Sequence, residues 1–194
     1  LFEYGSFQVY WDGDSAVRVR DREFTVAVDP GKSSPVFEAG IVLITGESSF
    51  DYESLKNVCG RGTCVVLPSS LKDKSVPCND VEYVEAGERL DIFSVEIEAL
   101  EGSELAYRFD MQGTSFYVSG GTGFRKELID LENRIDVAFL KASEESDEGK
   151  AVRSAVRIKP SVVVPYMYSE GNSVVDNLRA DLEDRNISCH VMKK

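Results

Sequence analysis

The densest run of side chains able to do chemistry is Thr-Gly-Glu-Ser-Ser-Phe-Asp at 45–51, between the apolar run Ile41–Ile44 and a segment carrying Tyr52, Leu55 and Val58 at helical spacing. A strand that ends in polar side chains just before a helix projects them into a crevice, where α/β proteins commonly bind ligands. Glu47 and Asp51, with Asp14 from the turn at 12–15, offer three carboxylates. Oxygen donors of this kind suit a divalent metal such as Mg2+, Mn2+ or Ca2+, with Zn2+ as a further option. The competing reading has no metal: Asp51 caps the helix that follows, Glu47 points outward and Asp14 shapes its turn. That second reading is preferred on the residues alone. Ser48 and Ser49 could act as nucleophiles only with a base to take the proton. The chain has one histidine, His190, in a terminal strand-like segment, so no catalytic triad is assigned.

Twenty-two basic residues stand against 34 acidic ones, a formal charge of −12. That balance repels phosphate backbones and anionic lipid, so no nucleic-acid or membrane partner is expected. No run of about 18 apolar residues is present and no charged-then-apolar leader opens the chain; a soluble, cytoplasmic protein is expected. Cys59, Cys64, Cys78 and Cys189 are too few and too irregular for a disulfide scaffold. They are read as buried thiols, with a Cys59–Cys64 disulfide as the alternative.

The elements that must position these groups follow from hydrophobic period. The first third alternates as strands with Gly and Asp turns, and Val17 and Val19 are expected to face a core while Arg18 and Arg20 face water. Residues 51–59 form a helix that Gly60 is expected to end in the left-handed conformation. Residues 81–118 read as a second meander, with a hairpin turn at 111–114. Beyond it, helical segments at 123–131, 148–159 and 173–186 alternate with apolar strands at 135–142, 161–168 and 188–193. Two strand-rich blocks, each followed by helix-linked strands, imply an α/β (α+β) fold with two sheets packed face to face and helices outside, in one domain over 1–194.

The order and spacing of "VYWDGDSAVRV", "TVAVDPG", "VLITGESSFDYESL", "SFYVSGGTGF", "IDVAFL" and "IKPSVVVPYMY" resemble the metallo-β-lactamase superfamily, particularly its ascorbate-6-phosphate-lactonase-like branch. The resemblance implies a four-layer αββα sandwich and metal-dependent hydrolysis. In that family the strand before the first helix ends in Thr-His-x-His-x-Asp-His. This chain has Gly46 and Ser48 at the first two imidazole positions and, under a variant spacing, keeps Asp51 as the one residue of ligand type. A later station, Tyr-His-x-Gly-Asp-Thr, corresponds to Tyr117, Val118, Ser119, Gly120, Gly121 and Thr122. A last station, Pro-x-His-Tyr, corresponds to Pro165, Tyr166, Met167 and Tyr168. Glycine has no ligating side chain, Val118 is apolar and Met167 is a thioether suited to Cu(I) rather than hydrolytic zinc. The resemblance therefore implies a vestigial cleft at Glu47, Ser48, Ser49, Asp51, Gly121, Thr122, Met167 and Tyr168, with no confident catalytic residue and no cofactor. Phe50, Tyr166, Met167 and Tyr168 would fill the vacated space or line a small pocket. The expected role is a non-hydrolytic pseudoenzyme, binding a protein partner or a second copy of the chain. The alternative is a lactonase- or phosphodiesterase-type hydrolase with a carboxylate metal site at Asp14, Glu47 and Asp51.

Overall fold

A computed structural model describes residues 1–22, 24–121, 126–143, 148–169 and 173–192. Its first sheet holds β1 (Phe2–Tyr4), β2 (Phe7–Gly13), β3 (Ala16–Asp21), β4 (Phe24–Val28), β5 (Ile41–Leu43), β6 (Cys64–Pro68) and β7 (Asp80–Val84), side by side in chain order. The pairs from β1 to β4 are antiparallel and those from β4 to β7 parallel. The second sheet repeats this plan. Its strands β8 (Arg89–Ile92), β9 (Val95–Leu100), β10 (Ala106–Met111) and β11 (Thr114–Val118) form an antiparallel meander. Strands β12 (Val137–Lys141), β13 (Val162–Tyr166) and β14 (Ser188–Cys189) then continue it in parallel.

Tight turns make the antiparallel halves and helices make the parallel ones, because a parallel return needs a crossover. Helix α1 (Tyr52–Val58) joins β5 to β6. Helices α2 (Glu148–Ile158) and α3 (Ser173–Glu183) flank β13 in sequence. Val9, Val19, Val28 and Leu43 from one sheet meet Phe109, Phe116, Val118 and Phe139 from the other in the central core. Leu55 and Val58 of α1 pack on the outer face of the first sheet. Ala155, Ile158 and Leu178 from α2 and α3 pack on that of the second. The result is the expected αββα sandwich. Strands β5, β6 and β13 are buried along their whole length, which explains why their sequences are continuous apolar runs.

The structure departs from the sequence reading at four places. β7 does not belong to the second meander: it pairs with β6, with Cys64 opposite Asp80 and Pro68 opposite Val84, and the chain changes sheets at 85–88. Gly60 is not left-handed. The helix ends at Cys59 in extended conformation (φ −81°), and the Phe37 and Ala39 amides donate to the Asn57 and Val58 carbonyls. The Glu38 side chain lies over Gly60, its Oε1 2.0 Å from where a Cβ would stand. Arg18 does not stand in water. It lies half-buried over the Tyr10 and Phe37 rings, with its guanidinium on both oxygens of Asp12. Finally, Cys59 bonds to Cys78, with their Cα atoms 5.7 Å apart, whereas Cys64 is a buried free thiol and Cys189 a half-buried one. Alternating charge and thiol spacing are local signals; the loop at 36–39 and the return of β7, which decide these contacts, are not.

Candidate functional site

The polar knot after β5 is anchored from below by a buried acid. Asp29, at the end of β4, is 1% exposed and holds a positive φ of 48°. Its carboxylate accepts from the Thr45 amide at 2.8 Å and from Thr45 Oγ1 at 2.6 Å. Thr45 Oγ1 lies 3.3 Å from Ser49 Oγ. Burial pushes the Asp29 carboxyl up to about 7, and the nearby charge of Glu104 adds to that rise, while the Thr45 and Ser49 hydrogen bonds pull the other way. These bonds tie the ends of two neighbouring parallel strands and set where the turn at 46–49 begins.

Above this anchor the cleft is occupied by a side chain from the opposite sheet. Glu104 sits in the β9–β10 connection, and the Ser48 amide donates to its Oε1 at 3.1 Å. A Cβ on Gly46 would lie 2.4 Å from both Cδ and Oε1 of Glu104, and one on Gly121 would lie 3.2 Å from its Oε2. The Glu104 carboxylate thus occupies the directions in which side chains at 46 and 121 would project. The two sheets are held together here by the Leu105 amide donating to the Thr45 carbonyl at 2.8 Å and by the Tyr107 hydroxyl donating to the Ile44 carbonyl at 2.9 Å. Gly120 has φ +56°, and a Cβ there would meet the Leu105 carbonyl at 2.5 Å; only glycine tolerates both the conformation and the approach.

The sequence-selected residues fall into separate places. Asp51 caps α1, its Oδ1 accepting from the Ser54 amide at 2.8 Å, and these bonds hold its carboxyl below the usual range. Glu47 faces outward, 75% exposed, with Lys74 Nζ 2.7 Å away. Asp14 is exposed at its hairpin tip with φ 45°, and its carbonyl accepts from the Trp11 indole at 2.9 Å. The structure therefore does not bring Asp14, Glu47 and Asp51 together, and among the described residues no group of three or more His, Cys, Asp or Glu side chains is placed to hold a metal ion. Ser48 and Gly121 do converge, on Glu104. Ser49 approaches Thr45 rather than a catalytic base. Thr122 lies outside the described residues.

Met167 packs against the inter-sheet core with φ 61°. Tyr168 stacks at a tilt on Trp11, with ring centroids 4.4 Å apart, and gives its hydroxyl to the Met192 carbonyl. Tyr166 is buried between the sheets and donates to the Gly120 carbonyl at 3.1 Å; burial pushes its phenol up. Phe50 packs under α1. His190 stacks on Phe2 at 4.2 Å, and its imidazole is lowered first by burial and then by Arg179.

Sequence reasoning missed Asp29 as the anchor and Glu104 as the occupant. Asp29 stands in the sequence only inside the motif "TVAVDPG". Glu104 had no local signal, because its partner amide is 56 residues away. The coincidence of Gly46 with Gly121, two positions that both lack a side chain, was the available hint that something else fills the space.

The donor set does not fit the metal that the resemblance implies. A hydrolytic zinc needs three or four fixed N or O donors and an open position. The positions at issue carry Gly46, Ser48, Val118, Gly121 and Met167, and the space beside two of them contains one carboxylate, Glu104.

A family model described as the beta-lactamase superfamily domain matches residues 8–167. Archaeosine synthase subunit alpha of Methanosarcina acetivorans is 27% identical over 111 residues; the match takes in 52% of this chain and 18% of that subunit, so the chain spans under a fifth of that curated relative. Among solved structures, a Parabacteroides distasonis protein assigned to the metal-dependent hydrolases superposes with a TM-score of 0.83 at 20% identity, covering 95% of this chain and 92% of the other. Igni18, a metallo hydrolase from Ignicoccus hospitalis, gives 0.80 at 17% identity, covering 96% and 95%. The diiron β-hydroxylase CmlA from Streptomyces venezuelae gives 0.74 at 16%, covering 98% of this chain and 53% of that one. At these identities the structural likeness carries the fold, and one scaffold hosts different chemistries.

Proposed function

Because the chain belongs to the beta-lactamase superfamily, we propose that it is a non-hydrolytic member of the metallo-β-lactamase fold, a binding or structural module whose inherited cleft is closed from within by Glu104. The observation that carries this reading is the interlock of Gly46, Ser48 and Gly121 with the Glu104 carboxylate. A side chain of ligand type at 46 would have to displace the end of Glu104 and one at 121 would crowd it at 3.2 Å, and Glu104 alone supplies too few donors for a catalytic metal. The ascorbate-6-phosphate-lactonase-like branch remains the place within the superfamily where the motif spacing fits. The partner in this reading is a protein, an active relative or a second copy of the chain, since a surface of net charge −12 disfavours nucleic acid and anionic lipid. The cytoplasmic placement also belongs to it, and there the Cys59–Cys78 bond becomes a reducible one.

The alternative is a metal-dependent hydrolase, and it draws on the neighbours described as metal-dependent or metallo hydrolases. It requires Asp51 to leave the Ser54 amide and regroup with Asp14 and Glu47. Metal analysis of protein purified without chelator separates the two readings, combined with thermal shift against Zn2+, Mn2+ and Mg2+ and with lactonase and phosphodiesterase assays. The pseudoenzyme reading expects no stoichiometric metal, no shift and no turnover. Stoichiometric metal that disappears in Asp51→Ala together with an activity would overturn it.

A further inference from the structure

We infer that the Cys59–Cys78 disulfide is a redox clip that holds the connector 72–79, and through it the cleft turn, in the closed arrangement. Cys59 is the residue at which α1 ends, and Cys78 stands two residues before β7, the last strand of the first sheet. Between them the chain runs through buried β6 and a 3-10 turn at Ser69–Leu71, then along residues 72–75, all exposed. Past the Lys74 amide, which donates to the Leu71 carbonyl, the connector is held by Val76 and Cys78 packing under α1 and by the disulfide.

Two ties lead from this connector to the cleft. Lys74 Nζ reaches Glu47 at 2.7 Å, in the turn whose next residue, Ser48, holds Glu104. Cys59 itself is joined through α1 to Asp51, the cap that closes the same turn. An exposed ion pair alone is weak, so holding Lys74 beside Glu47 depends on the covalent staple behind it. β7 is an edge strand, paired on one side only, and edge elements with few buried contacts open first.

Opening the clip is a thiol–disulfide exchange. A thiolate of a dithiol reductant of the thioredoxin class attacks one sulfur and the S–S bond breaks. Its second thiol then resolves the mixed disulfide, leaving two protein thiols and one oxidised reductant, with two electrons and two protons transferred. The proposal concerns local release and does not depend on whether the cleft is catalytic.

The test is hydrogen exchange on the whole chain, oxidised and after reduction with a dithiol, with mass-spectrometric readout of 46–51, 65–67 and 72–84. Reduction is expected to raise exchange by roughly tenfold or more in 72–84 and measurably in 46–51 at the shortest labelling times, at which β6 at 65–67, a core strand that opens only with the whole chain, is still protected. The Cys59→Ser/Cys78→Ser double variant should behave like the reduced protein under oxidising conditions and ignore the reductant. Unchanged exchange in 72–84 on reduction would overturn the inference. So would deprotection of β6 in step with the connector, which marks a purely global staple. Four free thiols in unreduced, denatured protein would overturn it as well.

Discussion

Replacing Asp29 by Asn removes a buried acid without removing its shape. Asn accepts from the Thr45 amide as Asp does, and it tolerates the left-handed backbone that position 29 adopts. In the native chain the carboxyl titrates near 7 when folded against an ordinary 3.8 when unfolded. The folded state therefore holds a proton that the unfolded state has lost throughout the interval between those values. The resulting stability is fully present below 3.8 and is lost as pH rises through about 7. Linkage over pH 5.5 to 8.5 gives a loss of about 2 kcal/mol from this one group. The window stays clear of the sequence pI of about 4.6. Urea denaturation followed by fluorescence of Trp11, the sole and buried tryptophan, reads the effect. The other carboxylates contribute equally to both proteins, so the native-minus-variant difference isolates Asp29. That difference is expected to fall by about 2 kcal/mol from pH 5.5 to 8.5; parallel pH profiles would refute the argument that burial dominates the Thr45 hydrogen bonds.

Gly46→Ala should expel Glu104, because the new methyl lies 2.4 Å from its Cδ. The side chain's free end can swing away, so the cost is about 1 kcal/mol from the lost Ser48 contact. Glu104→Ala in that background should cost almost nothing further, a non-additivity readable by a double-mutant cycle. Asp51→Ala should lower stability by about 1 kcal/mol through loss of the α1 cap, measured by denaturant titration, with no change in bound metal. Joint replacement of Cys59 and Cys78 by Ser should cost about 3 kcal/mol under oxidising conditions, the loop-closure value for a bridge across 19 residues. Under reducing conditions the same variant should match the native chain.

The fold was legible because its parts are periodic. Alternation in β2 and β3, continuous apolar runs in β5, β6 and β13, and helical spacing in α1 and α2 each follow from which faces are buried. Asp51 was legible too, since a cap acts on an amide three residues away and is written locally. That the sequence carries a single histidine, His190, could likewise be read directly.

What the linear text could not carry are the contacts set by packing one sheet on the other. Nothing in the run at 101–105 says that Glu104 will turn into the space beside Gly46 and Gly121; that depends on the Leu105–Thr45 and Tyr107–Ile44 bonds that bring the β9–β10 connection over β5. The pairing of Cys59 with Cys78, rather than the nearer Cys64, was decided by the parallel return of β7 beside β6, which leaves Cys64 facing the interior. Asp29 owes its raised pKa to the removal of water by both layers, a property of the assembled core and not of its neighbours in sequence. The linear text carries the scaffold and the single histidine. Tertiary structure decided what stands in the cleft, because side chains far apart in sequence meet only once the two sheets have closed on one another.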